Sequence, residues 1–296
     1  MAAVRPSVLA GSWYPGRPAD LAAAVDRFLQ PGSVPPPAGR PLIALAPHAG
    51  YAWSGPTAGR LYAGLRGCLP ARVVILAPNH RVPLQRIALS GATAFATPLG
   101  QVPVDTAAVA ALAADPAFVI DDRAHHDEHA VEIHLPFLQR LRPEDPPRIV
   151  PMLVPPLAED LRASAARALA RLADAETLLL VSTDFTHYGG DFGFQPFAHE
   201  PADALADAIE RLDAGAVLRV LAGDPTALRA YGRSTGITMC GLEAAALALE
   251  TGLPAGWEGA LLDYARSGDQ DHDYRRSVSY AAVLLADGGA KPEDPA

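Results

Sequence analysis

The sequence predicts an α/β fold: one domain with a largely parallel central sheet flanked by helices. Three observations carry that reading. The runs Leu42-Ile43-Ala44-Leu45, Val73-Val74-Ile75-Leu76 and Leu178–Val181 are apolar without alternation, which suits strands covered on both faces. Alanine-rich segments with helical periodicity lie between them. The first two runs are spaced by about thirty residues, as a strand–helix–strand crossover requires.

In chain order, strands are expected over Pro41–Pro47, Arg72–Pro78, Ile87–Gly91, Arg148–Val154, Thr177–Thr183, Ala260–Ala265 and Ser277–Leu285. Helices are expected over Ala19–Leu29, Pro56–Leu65, Thr106–Ala114, Val131–Leu141, Ala158–Ala173, Ala202–Leu212, Ala214–Ala222 and Gly241–Glu250, and Thr226–Tyr231 also reads helical. No repeat is present, and the Pro-rich stretch Pro31 to Pro41 lies too near the start to divide domains. Residues 1–286 therefore read as one domain and 287–296, rich in Gly, Pro, Glu and Asp, as a disordered tail.

Composition narrows the function. Half of the 296 residues are hydrophobic and 19% are charged, enough apolar material for a large core. The net charge is −9, Lys291 is the sole lysine, and no basic run occurs, which argues against nucleic acid as a partner. Met1 to Gly11 has neither the charge nor the apolar stretch of a secretory signal. No run approaches the roughly eighteen apolar residues of a membrane span, so no membrane association is expected. Two cysteines far apart, Cys68 and Cys240, exclude a disulfide framework and suit a reducing cytoplasm. Cys68, at the end of a helix, reads as a small buried or half-buried thiol.

Three of the apolar strands end alike: Ala46-Pro47-His48-Ala49-Gly50-Tyr51, Ala77-Pro78-Asn79-His80, and Ser182-Thr183-Asp184-Phe185-Thr186-His187-Tyr188. Ligands of parallel sheets bind beyond the carboxyl ends of the strands. Three strands that each deliver a histidine there aim imidazoles at one place, and a metal ion is the simplest reason to gather neutral imidazoles. Cys240, in Thr238-Met239-Cys240-Gly241 before a helix, stands where the helix dipole favours a thiolate.

Other matches carry less. His125-His126-Asp127-Glu128-His129 fits the inverted zinc-peptidase pattern H-x-x-E-H, but the residues before it read as a loop. Glu128, His129, Glu132 and His134 are expected instead to support a ligand or touch a substrate, or to cap the helix. Gly232-Arg233-Ser234-Thr235-Gly236 fits G-x-S-x-G without the strand that a nucleophile elbow needs. No phosphate-binding glycine motif is present. The acidic run Asp269 to Asp273 reads as a solvated loop.

Several segments together resemble the Memo family, whose bacterial and archaeal members are often called AmmeMemoRadiSam system protein B. They are Ala10-Gly11-Ser12-Trp13-Tyr14-Pro15, Pro47-His48-Ala49-Gly50-Tyr51, Ala77-Pro78-Asn79-His80, the stretch from Glu128 to Phe137, Ser182 to Gly189, and Met239-Cys240-Gly241. The resemblance implies a fold similar to that of class III extradiol dioxygenases. It implies a metal held by His48, His80 and Cys240, with Asp184 and His187 as catalytic groups in the same pocket and Tyr51 close by. Those dioxygenases complete two histidines with a carboxylate; here a thiol stands in that position, which shifts preference toward softer metals. The expected cofactor is Fe(II), with Cu or Zn as alternatives. The expected activity is a dioxygenase-like oxidation of a small chelating substrate. The alternatives are a non-enzymatic iron- or copper-binding regulator or adaptor, with radical-SAM and AMMECR1-like protein partners, and a zinc-dependent hydrolase.

Overall fold

Apolar runs without alternation become the buried parallel centre of the sheet. The computed structural model describes residues 4–288, the side chains at 202 and 203 excepted. Strand β1 (Val4–Arg5) and helix α1 (Pro18–Phe28) lead into the crossover β2 (Pro41–Ala46), α2 (Tyr51–Gly64), β3 (Arg72–Ala77). Short strands β4 (Ile87–Leu89), β5 (Ala94–Thr97) and β6 (Gly100–Pro103) follow, then α3 (Thr106–Ala113) and β7 (Phe118–Ile120). Helices α4 (Asp122–His126), α5 (His129–Glu132) and α6 (Leu135–Leu141) precede β8 (Arg148–Leu153), α7 (Glu159–Leu172), β9 (Thr177–Ser182) and β10 (His187–Tyr188). The chain closes with α8 (Ala202–Leu221), α9 (Pro225–Thr235), α10 (Leu242–Glu250), β11 (Glu258–Arg266), α11 (Gly268–Asp271) and β12 (Ser277–Ala286).

Among the described residues the main sheet runs β10-β12-β2-β9-β3-β8-β4-β7, with β11 on the outer side of β12, and β1-β5-β6 form a small second sheet. Strands β2, β9, β3 and β8 are mutually parallel. The flanks are antiparallel: β12 against β2 and β11, and β4 against β8. The expected parallel sheet is thus the sheet's centre. Its margins are reached by connections such as 267–276, too short for a parallel crossover.

Three helix boundaries differ from the sequence reading, each for a local reason. Helix α2 starts at Tyr51, more than one turn before Pro56. The segment 131–141 is two helices, because Pro136 has no N–H to bond the Glu132 carbonyl four residues back. Residues 202–221 are one helix, unbroken at Asp213. Its buried carboxylate does not cap a helix; it accepts hydrogen bonds from Thr186 and Tyr264. The short strands β1, β5, β6, β7 and β10 have too few residues to show a pattern. Of the expected tail, Asp287 is tied down, accepting from the Arg40 amide at 2.7 Å; residues 289–296 lie outside the described residues. No helix among the described residues is long and apolar enough to cross a membrane.

Helix α1 packs closely on α2 because Gly59 leaves room. A Cβ there would lie 2.3 Å from the Phe28 carbonyl oxygen. The segment before α1 is held differently, by the fully buried Glu132. Its carboxylate pairs with Arg5 and accepts from the Ser7 hydroxyl at 2.7 Å, the Val8 and Leu9 amides at 3.0 and 3.2 Å, and the Tyr14 hydroxyl at 2.5 Å. Removing one partner of a buried pair strands the other charge without water. Glu132→Gln should therefore destabilise the protein by about 3 kcal/mol in urea unfolding. A variant that unfolds at the parental midpoint would show that this clamp contributes nothing.

Candidate metal centre

The centre is built where β2, β9 and β3 end side by side. The register pairs Ala46 with Ser182 and Leu76 with Val181, so the three strands finish nearly level. Pro47 and Pro78 then end the hydrogen-bonded ladder, and His48, Asp184 and His80 leave the sheet at one edge. Cys240 arrives from elsewhere, in the turn before α10. Gly241 permits this approach: a Cβ on it would meet the Thr183 Cβ at 2.5 Å and the Ser182 carbonyl oxygen at 2.7 Å. The Gly241 amide instead donates to Thr183 Oγ1 at 2.9 Å.

One ligand atom from each of His48, His80 and Cys240 lies within 4.8 Å of the others, a set that could hold a metal ion. His48 Nε2 is 3.2 Å from Cys240 Sγ. The ring orientations follow from the neighbours. The Ser182 hydroxyl has one proton and gives it to the Ala130 carbonyl at 2.6 Å. It must therefore accept from His48 Nδ1, 2.7 Å away. That places the His48 proton on Nδ1 and leaves the Nε2 lone pair for a cation. His80 is held likewise, with Nδ1 3.0 Å from Glu128 Oε1 and its amide donating to Glu128 Oε2 at 2.8 Å. Glu128 is buried, which opposes ionisation, but bonding to His80 prevails and lowers its pKa to about 2. As an anion it can only accept, so His80 carries its proton on Nδ1 and offers Nε2.

The expectation of a dipole-favoured thiolate at Cys240 is overturned. Burial, and next the neighbouring Asp184 carboxyl, push the thiol well above its ordinary range, although the Asp184 amide donates to Sγ at 3.2 Å. One helix terminus does not offset an apolar surrounding and a nearby acid. Burial also keeps His48 neutral, its pKa well below the usual value, with His129 and His80 adding to the effect.

A cavity of about 560 Å³ opens over these groups and is lined by His48, His80, His129, Asp184 and His187. The His187 Nδ1 faces two carbonyls, Phe185 at 3.0 Å and Thr238 at 3.1 Å, so it carries the proton and Nε2 is the basic nitrogen. Asp184 Oδ1 accepts from the His48 amide at 2.8 Å. Burial raises its pKa to about 6. His129 stacks on His80 with ring centres 4.6 Å apart, and Trp13 lies 4.5 Å from its other side. Cys240 does not line this cavity; it borders a second, of about 590 Å³, with Asn79, Arg233 and Met239.

Several expected site residues are elsewhere. Tyr51 is in the core, its hydroxyl donating to the Ile133 carbonyl at 2.9 Å. His134 is buried against Tyr62 and held neutral, its pKa lowered to about 3 by desolvation. Glu132 clamps the N-terminal segment and so acts on the cavity only through Trp13. The H-x-x-E-H match is broken at Asp127, and His125 Nε2 donates to the Ala88 carbonyl at 3.0 Å. Ser234 sits in the last turns of α9, not at an elbow. Cys68 is exposed, contrary to expectation. Asp269 of the acidic run accepts from Arg266 and Tyr274. Ser182 and Thr238 escaped notice. A lone serine ending an apolar strand was the available signal for the first, and none marks the second.

The profile of the "Memo-like protein" family matches residues 5–284. A MEMO1 family protein of Methanopyrus kandleri is 33% identical over 96% of this chain and 99% of its own length. A MEMO1 family protein of Thermococcus kodakarensis is 32% identical, over 95% and 99%. Protein MEMO1 of Danio rerio is 33% identical, over 93% of this chain and 95% of its own. With the match spanning nearly every element described above, the chain belongs to the Memo family.

Proposed function

We propose that this protein is a mononuclear non-haem iron protein, its ion held by His48, His80 and Cys240, that oxidises a small chelating substrate in the histidine-lined cavity. The observation that carries the reading is the convergence of those three donors beside an open chamber. Both histidines already have their protons turned away from the centre by Ser182 and Glu128. An Fe(II) ion bound there would supply Lewis-acid and one-electron redox chemistry. His187 Nε2 takes the proton from a substrate hydroxyl, while its Nδ1–H stays fixed on two carbonyls. Asp184, whose burial raises its carboxyl above the usual carboxylate range, holds or releases a second proton. Trp13, which lines the cavity, supplies a flat wall against which a planar substrate packs.

Anaerobic loading with Fe(II), followed by oxygen uptake with catechol-like compounds, tests the activity. Uptake that disappears in His187→Ala is the expected result. Full iron occupancy with no uptake from any candidate would sink the enzymatic reading and leave a metal-binding regulator or adaptor, with a radical-SAM protein as the partner to seek. Zinc hydrolysis on the H-x-x-E-H segment predicts loss of metal in His125→Ala; the arrangement around Ala88 predicts no change.

The hydrogen bond that fixes His48 has its own signature. Ser182→Ala should weaken metal binding about 10- to 100-fold, the usual cost of losing a group that orients a ligand. An unchanged dissociation constant would mean that Ser182 does not set the ring. The raised Cys240 pKa fixes the direction of the pH dependence. The thiol is protonated at neutral pH and the metal must expel that proton, so affinity rises with pH by about tenfold per unit below the thiol's pKa. In weak buffer the wild type should release one more proton on metal binding than Cys240→Ala. Equal release from both would remove Cys240 from the ligand set.

A further inference from the structure

A second group of donors stands against the first. His80, Glu128 and His129 each offer an atom within 4.8 Å of the others. His129 is only 8% exposed, yet its Nδ1 has no hydrogen-bond partner among the described residues. That nitrogen lies 3.1 Å from Glu128 Oε1, with no proton properly aimed between them. A buried nitrogen facing an ionised carboxylate oxygen without a hydrogen bond is unfavourable unless a cation joins them. A second edge, His80 Nδ1 to Glu128 Oε1, measures 3.0 Å. Two ligands at right angles on a metal with bonds of about 2.1 Å are themselves about 3.0 Å apart. The spacing therefore suits one ion without moving Glu128. That carboxylate is pinned by the His80 amide on Oε2 and by the His129 and Ala130 amides on Oε1.

We infer that His80, Glu128 and His129 form a second divalent-metal position, adjoining the His48/His80/Cys240 set and sharing His80 with it. The ion replaces the proton now on His80 Nδ1, which leaves to solvent, and the ring bridges the two positions through its two nitrogens. The donor characters differ. Two imidazoles and a carboxylate make a harder site, suited to Fe(II), Mn(II) or Zn(II), beside a softer one that contains the thiol. Glu128 is then more than a prop for His80, since the same oxygen that holds the ring's proton can hold an ion in its place.

The inference rests on His80 also serving the Cys240 set, and the test separates the two. The purified full chain is titrated anaerobically with Co(II). Thiolate-to-cobalt absorption in the near ultraviolet reports the Cys240 position, and metal analysis after desalting gives the stoichiometry. Two ions per chain are expected for the wild type. His129→Ala should bind one, with the thiolate band kept, and Cys240→Ala should bind one, with the band gone. His129→Gln, closer in size, repeats the measurement should the alanine variant prove unstable. Saturation of the wild type at one ion with the thiolate band, or two ions retained in both His129 variants, would overturn the second position. One ion without the band, lost in His129→Ala, would uphold this position and overturn the Cys240 reading instead.

Discussion

Everything in the centre depends on three parallel strands ending level. β9 lies between β2 and β3, and the register brings Ser182 beside Ala46 and Val181 beside Leu76. Past those ends the three strands no longer pair with one another in register, and β9 turns to β12 through Phe185 and His187. The side chains just past those ends are the first polar groups beyond a wall of leucine, valine and alanine. Burial then does most of the chemical tuning: it keeps His48 neutral, raises Asp184 and holds the Cys240 proton in place. The sheet positions the donors, and the low polarity behind them sets their charge.

Two kinds of support hold the donors, and they differ in reach. Ser182 and Glu128 act over one hydrogen bond, each fixing a histidine tautomer. Glu132 acts over a longer path. By gathering Arg5, Ser7, Val8, Leu9 and Tyr14 on one carboxylate it lays residues 5–14 across the domain, which brings Trp13 against His129. Losing the first kind alters one ligand; losing the second removes a wall.

The strand ends were legible because parallel-sheet physics leaves a plain mark: an unbroken apolar run, a proline and then a histidine. That mark located His48 and His80; the third strand end, Ser182-Thr183-Asp184, lacks the proline but puts Asp184 and His187 beside them. Cys240 bears no comparable mark, since its place is set by a tertiary approach that Gly241 permits; its assignment rests chiefly on the likeness to a family. Tyr51, Glu132 and His134 lie three to five residues from site-facing groups but point into the core. Helix α5 is a single turn, so neighbours in sequence diverge in direction, and no periodicity can be read from four residues. The helix dipole at Cys240 was a sound local argument that a nonlocal one, burial beside Asp184, outweighed.

The order of the candidate donors along the chain has a consequence for biosynthesis. His48, His80 and the Glu128–His129 pair are made well before Cys240, and β12, which pairs with β2, comes later still. A nascent chain carries imidazoles and a carboxylate long before it carries the thiol. Any ion captured during translation would first meet the harder donors, and the sulfur would close over a centre that nitrogen and oxygen had already begun.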